Sequence, residues 1–284
     1  KVQALADMTA PHPLSPKMAA ATVKRYLVDP AAKIRLRDLV HEETERLFTE
    51  INARSFDPTP RLEHKDELLK RVNRYGALSE TLLSIFVVGA YWGTPDATKL
   101  WVSTLGRIAD SGAMSGLEYL IDLRRYPALI LLYAAGLAAL AAGNYETLAA
   151  ILTKPQVNHR QIKYEPICLV IYTHTVMGDN VAKLLPGLEN RHTPMSDHLF
   201  ARLREPLREF LPRDEDYQEL FDLFEYLFGL VYFDLKKSER GPVGCFAWRG
   251  KIWGLENKVF KKVDAEIDAQ GTNWPPLKAG LFGG

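Results

Sequence analysis

The sequence predicts an all-α fold, an irregular multi-helix bundle with at most one short β-hairpin near residues 241–254. Apolar residues recur at helical spacing through most of the chain. Hydrophobic residues make up 47% of the chain and charged residues 25%, as in ordinary globular domains. Helix starts are marked by a capping residue directly before a proline, at Ser15-Pro16, Asp29-Pro30 and Thr94-Pro95.

The first half of the chain predicts several helices ahead of a central apolar segment. Residues 1–15 are expected to form a flexible amino-terminal segment, and a helix begins at Pro16. An amphipathic helix of about five or six turns follows Asp29, since its Leu, Ile and Val residues fall near one side. A long helix starts at about Asp66, and a shorter one covers about residues 97–109.

The uncharged run from Tyr126 to Tyr145 predicts a central buried helix. Its length alone reaches the roughly 20 residues of a membrane span. However, Pro127 suits a first helical turn and Gly143 suits a helix end, so the helix covers only about 24 Å. Burial of a helix that is apolar on all sides therefore explains the run better than a membrane span.

Gly143 and Tyr145, with the alanines that follow, also predict an αα-hairpin like the middle of a tetratricopeptide repeat, although no second copy follows about 34 residues away.

The second half predicts more helices and one hairpin. The helices are expected at about 161–175, 181–188, 196–210, 214–236 and 257–270. The aromatic residues of 214–236 cover too wide an arc for a surface helix, so this helix should be buried on more than one side. Residues 241–254 predict a hairpin that turns at Arg249. Residues 16–284 are expected to form a single helical domain, with a subdivision near 156–160 left open.

Charge and cysteine content bear on the class of protein. The net charge is +1, from 36 Lys and Arg against 35 Asp and Glu, so no overall field attracts nucleic acid or an anionic membrane. Two cysteines are too few for a disulfide framework and favour a reducing compartment, the cytoplasm. Cys168 lies in an apolar run and suits an inert core thiol, and Cys245 has no basic neighbour that would lower its pKa.

The sequence contains no constellation of residues that names a reaction. A Walker-type glycine loop, a nucleophile elbow and a dinucleotide fingerprint are all absent. His192 and His198 flank Asp197 at a spacing that matches no zinc pattern, and Ser196 or Asp197 suits a helix N-cap. We therefore expect no enzyme, cofactor or metal in this region. A hydrolase that uses these two histidines and Asp197 is the least favoured hypothesis.

A basic and aromatic segment, KKSERGPVGCFAWRGKIW, is the most suggestive polar cluster. Basic groups beside aromatic rings can hold phosphates and stack bases. A surface loop whose aromatic residues pack inward explains the same pattern and is favoured. The candidate contacts to nucleic acid or another anion are Lys236, Lys237, Arg240, Trp248, Arg249 and Lys251.

Four segments together resemble the carboxy-terminal helical region of bacterial multidomain proteins that carry a sirtuin-like or Schlafen/Alba-like amino-terminal domain. They are LRRYPALILLYAAGLAALAAGNY, SDHLFARLREPLREFLP, GPVGCFAWRGK and WPPLKAGLFGG. The resemblance implies a regulatory or recognition module of an antiphage-defence protein and carries over no functional residue. The start at Lys1 rather than Met agrees with a piece of a longer protein.

The expected function is a non-catalytic helical module that associates with itself or senses a protein partner. It is expected in the cytoplasm, without membrane association. The alternative is a nucleic-acid-binding module that uses residues 236–253.

Overall fold

The helices account for most of the chain that the computed structural model describes, which is residues 14–51, 64–110, 117–159, 163–237, 241–242, 244–245, 247 and 258–282. The first half contains α1 (Pro16–Val28), α2 (Lys33–Glu50), α3 (His64–Tyr91), α4 (Pro95–Ala109), α5 (Glu118–Leu123), α6 (Tyr126–Ala141) and α7 (Tyr145–Thr153). The second half contains α8 (Ile167–Val170), α9 (Thr173–Val176), α10 (Asp179–Ala182), α11 (Pro194–Leu203), α12 (Asp214–Lys236), α13 (Lys258–Gln270) and α14 (Pro275–Lys278). The prediction of an all-α fold is confirmed.

The three predicted helix starts are present with their caps. The Ser15 hydroxyl accepts a hydrogen bond from the Met18 amide at 3.3 Å, and the Thr94 hydroxyl accepts one from the Ala97 amide at 3.3 Å. The Asp29 carboxylate caps a short 3-10 turn, Pro30–Ala32, which leads directly into α2. Such caps are worth about 1 kcal/mol each.

The centre of the fold is α6, which confirms the prediction of a buried apolar helix. Every residue from Tyr126 to Leu140 is buried. This helix packs against α3, α7 and α12. No helix in the described ranges combines the length and the apolarity that a membrane crossing needs.

The aromatic helix α12 packs against α6 through rings that surround one tyrosine. The ring of Tyr133 lies 5.0 Å from that of Phe224 and 6.0 Å from those of Phe221 and Phe228, measured between centroids. Close approach is allowed by Gly136, because a Cβ at that position would lie 2.2 Å from the Phe224 ring. The predicted burial of this helix on more than one side is confirmed.

Helices α6 and α7 form the predicted αα-hairpin. The turn contains Gly143 in the left-handed region, with φ of 67°, and the Asn144 side chain accepts a hydrogen bond from the Thr147 amide at 3.0 Å. The two helices pack on each other. Its likeness to a tetratricopeptide repeat stays a prediction.

The β-hairpin of the described residues lies elsewhere than expected. Strands β1 (Gln156–His159) and β2 (Lys163–Pro166) pair antiparallel, where the sequence predicted the start of a helix at 161. The expected position near 241–254 was wrong for its described residues, Gly241, Pro242, Gly244, Cys245 and Ala247, none of which lies in a strand. The Cys245 amide instead donates hydrogen bonds to the Ser196 hydroxyl on α11 and the Glu225 carboxylate on α12. This amide therefore needs no partner on a neighbouring strand. Its predicted turn at Arg249 lies outside the described residues.

Candidate interaction groove

A groove of about 550 Å³ lies between the starts of α2 and α4, beside the carboxyl end of α1. We call it the α2–α4 groove. Leu36 and Ala97 in its lining are buried, while Tyr26, Leu27 and Leu100 are partly exposed. The groove therefore presents apolar side chains to solvent at a junction of three helices.

Local sequence signals position the walls of this groove. Asp29 ends α1 and caps the turn that follows, so the start of α2 lies next to the end of α1. Thr94 caps α4, with Pro95 in its first turn. Each wall is therefore fixed at a helix terminus by one polar side chain and one proline.

Ion pairs link α2 and α4 along the groove. Lys33 Nζ lies 2.6 Å from Asp96 at the helix starts, and Arg107 lies 2.6 Å from Glu45 near the helix ends. The order of these pairs shows that the two helices run in the same direction. The Lys33 ammonium lowers the pKa of the Asp96 carboxyl below its usual value, chiefly by hydrogen bonding.

Arg37 lies between these two links and lines the groove. Its side chain is exposed, and it forms no ion pair with any residue that the structure describes. Lys99, also in the lining, has a side chain that is 81% exposed. Its Nζ lies 3.4 Å from Oδ1 of Asp96, the carboxylate that also pairs with Lys33. Among the described residues, Arg37 is therefore the cation of the lining without an acidic partner.

Two exposed aliphatic side chains are adjacent in sequence to residues of the groove lining. Val28 ends α1 and is 83% exposed, and Ile34 starts α2 and is 74% exposed. Each is adjacent in sequence to a lining residue, Leu27 and Lys33 respectively. Exposed aliphatic side chains next to a concave site make the α2–α4 groove a candidate binding surface.

A smaller cavity of about 360 Å³ lies on another side of α4, against α7. The hydroxyls of Thr98 and Thr147 meet in its lining at 3.0 Å. Thr98 also donates to the Thr94 carbonyl at 3.1 Å. These hydroxyls satisfy each other, so the cavity directs no unsatisfied hydroxyl toward a ligand.

The predicted basic and aromatic site is only partly within the described residues. Lys236 Nζ lies 3.6 Å from the buried carboxylate of Glu165, and Lys237 Nζ lies 2.9 Å from Asp234. Both lysines thus lie beside acidic side chains. The other four predicted contacts, Arg240, Trp248, Arg249 and Lys251, lie outside the described residues.

His192 and His198, the histidines of the least favoured hydrolase hypothesis, have different surroundings. His198 lies on α11 with its Nε2 2.5 Å from the Tyr126 hydroxyl, and burial, assisted by the charge of Arg202, lowers the pKa of its imidazole to about 4. His192 is exposed in the loop before α11. No group of three His, Cys, Asp or Glu side chains in the described ranges could hold a metal ion.

A buried polar cluster was missed by the sequence analysis. The Glu225 carboxylate, on α12, accepts hydrogen bonds from the Ser196 hydroxyl at 2.5 Å, the Cys245 amide at 2.9 Å and the Tyr133 hydroxyl at 3.4 Å. All four residues are at most 3% exposed. The cluster holds Cys245 against α11 and α12, and its burial leaves no access for a substrate. The only sequence signal was an acidic residue inside an aromatic helix.

Cys168 fits its predicted role as a core thiol. It is fully buried, and burial raises the pKa of its thiol to about 12. The Cys245 sulfur lies 3.5 Å from the Glu225 carboxylate. Because burial disfavours its thiolate, Cys168 lacks the surroundings of a nucleophile.

The α2–α4 groove was not predicted either. Asp29 and Thr94 were recognised as caps, but nothing in the sequence placed the two helix starts side by side. In comparisons with known proteins, no family model, no curated protein and no solved structure matches this chain.

Proposed function

We propose that this chain is a non-catalytic helical module that binds a protein partner through the α2–α4 groove. The observation that carries the proposal is a concave lining with partly exposed Tyr26, Leu27 and Leu100, together with Val28 and Ile34, which are exposed and adjacent in sequence to lining residues. Both residues are more than 70% exposed although they stand at helix termini beside a concave site. A partner that covered them would remove this surface from water.

The free energy available from this burial is substantial. Full burial of a Val or Ile side chain contributes about 1.5–3 kcal/mol. Val28 and Ile34 together therefore offer roughly 4 kcal/mol, before any contact with the groove lining is counted. Association costs several kcal/mol in lost freedom, so these two side chains are expected to matter strongly.

The biological setting is carried by the resemblance in the sequence and stays a prediction. It would make this chain a regulatory module of an antiphage-defence protein. Nucleic-acid binding through residues 236–253 also stays a prediction. It is less favoured than partner binding in the groove, because carboxylates lie beside Lys236 and Lys237 and would repel phosphate groups.

The test is a selection of binding peptides from a random display library on the purified chain. The affinity of the selected peptides is then measured for the unmodified chain and for the Val28→Glu and Ile34→Glu variants. Met18→Glu is the matched control. Met18 is 59% exposed on α1 and does not line the groove. Binding should be lost in the first two variants and kept in the control. A library that yields no binder, or binders that all three variants retain, would refute the proposal.

A further inference from the structure

Positive charge exceeds negative charge in the lining of the α2–α4 groove. Three cations, Lys33, Arg37 and Lys99, face two anions, Asp29 and Asp96, which leaves a surplus of one positive charge. Asp96 is shared between both lysines, at 2.6 and 3.4 Å. Asp29 is engaged as a cap, because its carboxylate accepts the Ala31 amide at 2.9 Å. One cation of the lining therefore has no carboxylate partner among the described residues.

The cation that lacks it is an arginine beside apolar side chains. Arg37 follows the buried Leu36 and lies one helical turn beyond Lys33 on the same side of α2. A guanidinium binds a carboxylate through two parallel hydrogen bonds. Such a pair becomes stronger when an apolar neighbour excludes water, as the lining residues Leu36 and Leu100 would under a bound chain.

We propose that the α2–α4 groove binds an acidic–apolar peptide segment of a partner protein, whose carboxylate pairs with Arg37 and whose apolar side chains cover Leu100 and Ile34. This inference rests on the proposed function and names the chemistry of the partner. A peptide fits better than a small molecule because Val28 and Ile34 carry the apolar surface outside the cavity. A ligand confined to about 550 Å³ would leave both in water.

The experiment uses the peptides selected from the random display library on the full chain. Asp or Glu next to a Leu, Ile, Phe or Trp residue should be enriched. Arg37→Glu should weaken their binding roughly tenfold or more, because an attraction becomes a repulsion. Arg35→Glu is the matched control, since Arg35 is exposed on the same helix but outside the groove lining, and it should change affinity less than about threefold.

A charge exchange separates direct pairing from a structural effect. Peptides in which Lys replaces the enriched acid should bind Arg37→Glu better than they bind the unmodified chain. Affinity of the acidic peptides should also fall as salt rises, because the pair is screened. A folding defect in Arg37→Glu would not produce the charge exchange, since no peptide would then regain binding.

The outcomes distinguish this inference from the proposed function. Enriched peptides that lack acidic residues but require Ile34 would support the proposed function and overturn the inference. Equal loss in Arg37→Glu and Arg35→Glu would overturn it as well. Self-association that Ile34→Glu abolishes would assign the groove to a second copy of the chain and would overturn the inference. Binding of decanoate, a small molecule with one carboxylate and an apolar tail, would also overturn it if that binding required Arg37 and no peptide bound. Absence of any Ile34-dependent binding would refute both proposals.

Discussion

Replacement of Gly136 by Ala tests the close packing of α6 on α12. A Cβ at this position would lie 2.2 Å from Cε2 and 2.9 Å from Cζ of the Phe224 ring. Carbon atoms in favourable contact are about 3.5–4.0 Å apart. The added methyl group therefore overlaps the ring by more than 1 Å, and the fully buried Phe224 has no solvent space into which it can turn.

The expected change in the free energy of unfolding is the difference of two effects. Overpacking of a buried site costs about 1–3 kcal/mol, and the upper part of that range applies here because two helix backbones must separate. Ala within a helix is about 1 kcal/mol more favourable than Gly. Gly136→Ala should therefore destabilise the chain by about 2 kcal/mol.

The assay is urea unfolding followed by circular dichroism, with Gly106→Ala as the matched control. A Cβ at Gly106, on α4, would meet its nearest neighbour, the Gln156 carbonyl oxygen, at an ordinary 3.6 Å. The control should thus be neutral or more stable by up to about 1 kcal/mol. If Gly136→Ala had the same free energy of unfolding as Gly106→Ala, α6 and α12 would not be in the close contact described. Leu in place of Phe224 should remove part of the penalty, which a double-mutant cycle measures.

Three further changes probe buried polar groups. Glu225→Ala should lower the free energy of unfolding by about 3 kcal/mol, since buried donors lose their acceptor and a cavity forms; urea unfolding measures it. Trp101→Phe should cost about 2 kcal/mol in the same assay, because the Gly89 carbonyl loses the indole N–H that donates to it at 3.2 Å and the smaller ring leaves a cavity at a fully buried site. The pKa of His198 is about 4 in the folded chain, against about 6.5 when exposed, so unfolding takes up a proton between these values. Stability should therefore fall by roughly 3 kcal/mol as pH drops from 6.5 to 4, and a pH series with His198→Gln should show a smaller fall.

The fold was predictable where local signals decide the structure. Ser15, Asp29 and Thr94 determine helix starts through their own hydrogen bonds, and these were recognised from the sequence. The apolar run of α6 is so uniform that only burial accommodates it. Residues 241–254 were predicted to form a hairpin that turns at Arg249. In the described part of that range, contacts with α11 and α12 override this local preference.

The sites were less predictable because they depend on tertiary placement. Strands β1 and β2 have four residues each, which is too short for an alternating pattern to stand out. Glu225 is recognisable as a hub only once Ser196 and Cys245, from distant parts of the chain, converge on it. The groove requires that α2 and α4 lie side by side. Periodicity identifies the buried face of a helix but not its neighbour.

The partners of charged groups separate structural roles from binding roles in this chain. Glu67 and Arg71, both buried, pair at 2.6 Å, so their charges serve the fold. Arg37 has no such partner among the described residues, but the same is true of Arg35, and an exposed arginine costs little. The distinction is the apolar surface beside Arg37. An ion pair with Arg37 becomes stronger when a bound chain removes water from around it. The charge of Arg37 in turn gives specificity to the binding of an apolar chain. The apolar and the charged parts of the groove are therefore expected to act together, which is why the peptide experiments change one at a time.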